Sequence, residues 1–149
     1  MQITGYARVA LIGAVLLASG CQRATVAKTY HPARIDSTDV KGIMRVTLEA
    51  RAAERIGLET APVREEKVTL AGGGSVTRTV VPYGALLYDT KGDTWTFTNP
   101  QPLVFVRQPI LVEDISGDRV ILREGPPAGT LVVTVGQVEL MGAEHKYGH

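Results

Sequence analysis

Apolar and polar residues alternate over short runs through most of the chain beyond residue 44, which is typical of β-strands that bury one face. Gly, Pro, Asn or Asp residues separate these runs at short intervals, as in the turns of an antiparallel sheet. The predicted strands are residues 45–48, 58–63, 67–70, 79–81, 85–88, 94–98, 103–107, 110–115, 119–123 and 131–135. We therefore expect a mainly β protein with a small antiparallel β domain.

One segment departs from this pattern and predicts a short helix near residues 49–56. It is rich in helix-forming residues, and Ala52, Ala53 and Ile56 form a narrow apolar stripe along it. Gly57 stands where a helix C-cap belongs. Further on, Val138, Leu140 and Met141 are compatible with either a short closing strand or a helical turn.

The two most strand-like runs supply the predicted core. The run at residues 131–135, LVVTV, is almost wholly apolar and so indicates a central strand. The residues assigned to these two runs of the core are Val120, Ile121, Leu122, Leu131, Val133 and Val135, and half of the set at residues 120–122 should face inward.

The first twenty residues look like a removable leader. Arg8 precedes the apolar stretch VALIGAVLL at residues 9–17. This stretch is too short to span a bilayer stably but suits the apolar part of a signal peptide. The following LASGC resembles the bacterial lipobox, and the resemblance implies cleavage before Cys21 with a diacylglyceryl group on its sulfur. The alternatives are an ordinary buried Cys in a membrane helix and an uncleaved N-terminal anchor.

The remaining chain divides into three predicted parts. Residues 22–41 show no clear period, so we interpret residues 21–44 as a flexible tether. Residues 45–143 then form a single β-rich domain. Residues 144–149 are polar and are expected to be a disordered tail.

Composition excludes several classes of function. Without Arg8, the numbers of basic and acidic residues are equal, which argues against a nucleic-acid partner. The chain has one Cys, so neither an internal disulfide nor a Cys-rich zinc site can form.

Candidate chemistry is sparse, and we expect no enzyme activity. The serines after Cys21 are Ser37, Ser75 and Ser116, and none lies in a GxSxG motif. All histidines fall in the predicted tether or tail, which would not hold a catalytic group rigidly. The adjacent carboxylates Glu65-Glu66 and Glu113-Asp114 should point to opposite faces of their strands.

Two histidines are weak candidates for a metal site. His145 and His149 are spaced i, i+4, which on a helix places two imidazoles on one face as a half-site for zinc or copper. The favoured alternative is a pair of solvated tail histidines. We therefore expect no cofactor apart from the covalent lipid on Cys21.

Several stretches together resemble a known family. The first reads VTLEARAAERIGLETAPVREE, at residues 46–66. The others are VPYGALLYDTKGDTWTF at 81–97, VFVRQPILV at 104–112, SGDRVILREG at 116–125 and AGTLVVTVGQVEL at 128–140. In order and spacing they resemble the membrane-proximal β-barrel part of periplasmic adaptor subunits, or membrane fusion proteins. These adaptors belong to resistance-nodulation-division (RND) efflux systems, and the heavy-metal branch is the nearest.

The chain also departs from that family. Only about a dozen residues, including Gly72-Gly73-Gly74-Ser75, stand where the family has a lipoyl-like domain and usually a long helical hairpin. No heptad pattern is present, and Pro126-Pro127 replaces the usual leucine-bearing loop. The resemblance thus implies a truncated adaptor.

The expected function follows from the resemblance. We expect a lipid-anchored accessory subunit on the periplasmic side of the cell envelope, with an inner-membrane efflux transporter as partner. The alternative is a free-standing lipoprotein of the envelope that binds metal or a small ligand. A decayed adaptor without a transport role is a third hypothesis.

Overall fold

The computed structural model describes residues 30–69 and 72–147 of the chain. These residues form eleven strands, a 3₁₀ turn and two helices. The strands are β1 (Ala33–Ser37), β2 (Met44–Leu48), β3 (Glu59–Pro62), β4 (Arg64–Thr69), β5 (Ser75–Pro82), β6 (Leu87–Tyr88), β7 (Thr94–Gln101), β8 (Val104–Pro109), β9 (Leu111–Ser116), β10 (Arg119–Glu124) and β11 (Leu131–Val135). The helices are α1 (Ala50–Ile56) and α2 (Gln137–Tyr147), and the 3₁₀ turn is Tyr83–Ala85.

The strands form two antiparallel sheets. The larger sheet has the order β1-β2-β8-β7-β11-β3, with β6 beside β7, and the smaller has the order β4-β5-β10-β9. The predicted mainly β, antiparallel class is confirmed, as is the short helix near residues 49–56. Gly57 ends α1 in a left-handed conformation (φ 64°) and donates its N–H to the carbonyls of Ala53 and Glu54.

One apolar core lies between the larger sheet and the two helices. Phe97 of β7 and Val133 of β11 are fully buried there against Leu140 of α2. The buried members of this first core are Val46, Leu48, Ala53, Leu87, Phe97, Phe105, Val133 and Leu140. Leu140 therefore joins α2 to the sheet.

A second core joins the smaller sheet to β11. The side chain of Val132 points to the opposite face of β11 from that of Val133, and it packs with residues of the smaller sheet. The buried members of this second core are Val63, Val81, Ala85, Leu86, Ile110, Val120, Leu122 and Val132. Strand β11 lies between β7 and β3 and is covered on both faces. This coverage explains its near-continuous apolar sequence.

The predicted core is partly wrong. Leu131 and Val135 are 40% and 43% exposed, because they lie at the two ends of β11, outside both cores. Val133 is buried as predicted, and residues 120–122 are all buried, although only half of them were expected to face inward. Ile121 faces away from the second core and packs with Val68 and Val80 on the other side of the smaller sheet.

The predicted tether is wrong for residues 33–37. These residues form β1, which pairs with β2 from Ala33↔Leu48 to Ser37↔Met44. The backbone N–H of Glu49 also donates to the Pro32 carbonyl at 3.0 Å. Ile35 packs against the first core, so this strand gains both apolar contact and backbone pairing. Residues 21–29 lie outside the described part.

The predicted disordered tail is wrong for residues 144–147, which belong to α2. Glu144 is 3% exposed because it pairs with Arg107 inside the domain. The sequence near Leu140 was compatible with a closing strand or a helical turn, and the structure has a helix there. Residues 148 and 149 lie outside the described part.

The helices of the described residues are short. None of them is both long enough and apolar enough to cross a membrane.

Candidate functional site

Of the predicted site residues, His145 alone lies in the part of the chain that the structure describes. Cys21 and His149 lie outside the described residues. His145 lies on the exposed side of α2, with its Nδ1 2.9 Å from the Met141 carbonyl oxygen. Within residues 30–69 and 72–147, no group of three or more His, Cys, Asp and Glu side chains is arranged to hold a metal ion.

A buried charged network lies between α2 and the larger sheet. The Glu144 carboxylate accepts a hydrogen bond from the Met44 backbone N–H at 3.2 Å, and its other oxygen lies 3.1 Å from Arg107 Nε. Arg107 Nη2 donates to the Gly42 carbonyl at 3.2 Å, and its guanidinium carbon is 4.2 Å from the centroid of the Trp95 ring. We call the groups around this carboxylate, namely Met44 N–H, Gly42 C=O, Arg107 and Trp95, the carboxylate seat.

The network is incompletely hydrogen-bonded. Arg107 Nε and Glu144 Oε2 are both buried, and neither has a well-directed hydrogen bond despite their short separation. The two side chains are 10% and 4% exposed, so removing either one would leave the other buried without its charge partner.

The Trp95 ring is oriented by a polar turn. Its Nε1 donates to the Asp89 carboxylate at 3.2 Å, and the backbone N–H groups of Lys91 and Asp93 donate to the same side chain at 2.8 and 2.9 Å. Burial raises the pKa of Asp89, but the three donors together outweigh it and hold the pKa below its usual value. This carboxylate stays ionised and fixes the turn between β6 and β7.

A second charged cluster lies on the smaller sheet. Arg78 of β5 donates two hydrogen bonds to the Glu113 carboxylate, at 2.5 and 3.2 Å, and Arg123 Nη2 is 3.7 Å from the same group. The bonds from Arg78 lower the pKa of Glu113, against a smaller opposing effect of burial. The same contact raises the pKa of Arg78. Arg78 and Arg123 border an open groove of about 440 Å³ that Pro126 and Pro127 also line.

One member of each adjacent carboxylate pair forms an ion pair with an arginine. Glu113 pairs with Arg78, and Glu66 pairs with Arg119 at 2.7 Å. The β9–β10 pairing shifts its register at Glu113: Ile121 is opposite Asp114, whereas Leu122 is opposite Val112. The shift leaves Glu113 without a partner residue on β10, as in a β-bulge.

The 3₁₀ turn, β11 and α2 each carry an exposed apolar side chain. Gly84 lies so close to β11 that a Cβ there would be 2.8 Å from the Thr134 carbonyl oxygen. Tyr83, Val135 and Val138, one from each of these elements, are 52%, 43% and 67% exposed. We call these three side chains the apolar patch.

Sequence reasoning missed both arginine–carboxylate networks. Their members are far apart in the chain: Arg78 and Glu113 are 35 positions apart. No local pattern links such pairs. One feature of the sequence could have indicated the network around Glu144. The predicted strand at residues 103–107 places the charge of Arg107 within a mostly apolar run. Such a charge would need a partner if buried.

Comparisons with known proteins identify no relative. No family model, no curated protein and no solved structure matches this chain.

Proposed function

We propose that this protein is a lipid-anchored, adaptor-like accessory subunit of an RND-type efflux transporter that acts by protein contact and not by catalysis. The observation that carries the proposal is the apolar patch. Tyr83, Val135 and Val138 all belong to stretches that resemble the efflux adaptors, at residues 81–97 and 128–140. A partner surface would thus be built from the same segments that carry the resemblance.

The position of the domain relative to Cys21 supports the anchoring part of the proposal. Strand β1 begins at Ala33, twelve residues after Cys21. Twelve residues span at most about 40 Å when fully extended. A lipid on Cys21 would therefore keep the domain within reach of a membrane protein, which raises the effective concentration of the two partners.

The anchor is tested by Cys21→Ala. Because the thiol is the acceptor of the lipid, this variant should lose metabolic labelling with a fatty acid, and it should either remain an uncleaved precursor or leave the membrane fraction in high salt. Unchanged membrane association of Cys21→Ala would contradict the lipoprotein proposal.

The partner is tested by cross-linking and capture from native membranes. Tagged wild type should recover an inner-membrane transporter, whereas Val138→Glu should lose most of it, because a charge in the apolar patch opposes burial. Leu111→Glu is the matched control, since Leu111 is also exposed but lies on β9, outside the patch.

Recovery of no transporter with wild type would contradict the accessory-subunit proposal. Stoichiometric zinc or copper binding that is lost in His145→Ala would instead favour the free-standing metal-binding lipoprotein.

A further inference from the structure

The carboxylate seat has a pattern of groups that recognises an acid. It offers a backbone N–H from Met44 and the guanidinium of Arg107, whose position is fixed by the Gly42 carbonyl and the Trp95 ring. A guanidinium with a second donor beside it is a strong partner for a carboxylate. Glu144 of the chain's own C-terminal helix fills the seat.

Helix α2 is attached to the domain mainly along one narrow line. Leu140 and Glu144 are its buried side chains within the described residues, four positions apart and so on one face. Met141 and Ala143 pack partly against the first core, and Gln137 Nε2 donates to the Leu86 carbonyl at 3.3 Å.

The helix also has little stability of its own. Gly142 lies in its interior and lowers its helix propensity, and eleven residues are too few for a stable isolated helix. Its buried ion pair lacks a well-directed hydrogen bond, so it compensates poorly for the loss of hydration. These features are those of a segment that opens locally while the sheets remain folded.

We propose that α2 is a displaceable strap and that the carboxylate seat beneath it binds a helix of a partner protein. The partner helix would carry an apolar residue four positions before a Glu or Asp, because Leu140 and Glu144 show which two groups the surface accepts. The apolar residue would take the place of Leu140 in the first core, and the carboxylate would bind Arg107 and the Met44 N–H. This proposal does not depend on a transporter as partner.

The opening of the strap is tested by hydrogen exchange of the full chain. The amides of α2 should exchange at least tenfold faster than those of β7 and β8, and Glu144→Gln should accelerate α2 further without changing β7 or β8. Exchange of α2 at the same rate as β7 and β8 would overturn the proposal, because the helix would then open only with the whole domain.

The specificity of the seat is tested with a synthetic peptide of residues 137–147 and the same peptide with Glu144→Gln. The receptor is the full chain with Leu140→Ala and Glu144→Ala, which weakens the strap. Glu144→Ala alone serves if the double variant loses its β-sheet circular dichroism. Trp95, the one tryptophan of the sequence, reports binding through its fluorescence.

The unmodified peptide should bind saturably and at least tenfold more tightly than its Gln form. It should also bind at least tenfold more weakly to the wild-type chain, whose seat is occupied. Adding Arg107→Gln to the receptor should abolish the difference between the two peptides. Equal binding of both peptides to the original receptor, or no binding, would overturn the proposal. Dimerisation of the wild-type chain through exchange of α2 would overturn it in favour of a second copy as occupant.

Discussion

At the residue scale, the carboxylates of this protein differ in what surrounds them. Glu144 is buried against Arg107, and Glu113 is largely covered between Arg78 and Arg123, whereas Asp36 forms an exposed pair with Arg34 on β1. Exposed pairs contribute little to stability because water screens them. Substitution of a covered carboxylate should therefore affect stability more than substitution of the exposed Asp36.

Glu113 should make stability depend on pH in the acidic range. Its pKa is lowered by the hydrogen bonds from Arg78, so its contribution is complete above the usual pKa of a Glu side chain. That contribution is lost as pH falls through the lowered pKa of the folded state. Glu113→Gln should therefore melt at a lower temperature than wild type at pH 7, and the difference should shrink below about pH 4.

The melting temperature of Glu113→Gln and wild type, followed by circular dichroism from pH 7 to pH 3, checks this expectation. Glu124→Gln is the control, because Glu124 is exposed at the end of β10. A difference between wild type and Glu113→Gln that stays constant with pH would contradict the assigned role of the carboxylate.

At the element scale, the sequence predicted best those elements whose apolar residues recur with the period of a strand or a helix. Strand β7 and helix α1 were recognised because their apolar periods match their geometry. Strand β1 was missed because Ile35 is its one large apolar residue, and pairing with β2 supplies the rest of its stabilisation. A strand held mainly by backbone pairing leaves little trace in composition.

Helix α2 and the carboxylate seat were missed for a related reason. The attachment of α2 depends on Glu144, which a sequence pattern assigns to solvent. Its burial requires Arg107 on β8, and this contact exists only after the sheet has formed. The candidate site therefore could not be predicted from local patterns, whereas the fold class could.

Strand β11 gives a direct test of the corrected core. Val133 is fully buried in the first core, and Val135 is 43% exposed on the same strand. Val133→Ala should lower the free energy of unfolding by about 2 kcal/mol through lost apolar burial and a residual cavity. Val135→Ala should change it by less than about 0.5 kcal/mol, as is usual for surface positions.

Chemical denaturation of the two variants, with equal denaturant slopes, would measure both values. Equal losses of stability at residues 133 and 135 would contradict the assignment of these side chains to opposite environments.

At the scale of the whole molecule, the edges of both sheets carry features that oppose pairing with another chain. The edge strand β4 is highly charged, with the sequence REEKVT, and β1 carries the ion pair of Arg34 with Asp36. The edge strand β9 has two register shifts against β10, and β3 has four residues and ends at Pro62. Charges, bulges, short edge strands and Pro all discourage edge-to-edge association.

These edges lead us to expect a monomer once the lipid is absent. The Cys21→Ala protein should sediment as a single monomeric species at micromolar concentrations. A stable interface usually buries about 1,200–2,000 Å², and the edge strands described above do not favour pairing over such an area. Strand β9 is the best test of the argument, since Leu111 and Ile115 are exposed on it. Ile115→Lys in the same background should leave the sedimentation coefficient unchanged. A dimer that forms at micromolar concentration and dissociates in Ile115→Lys would show that the register shifts of β9 do not protect this edge.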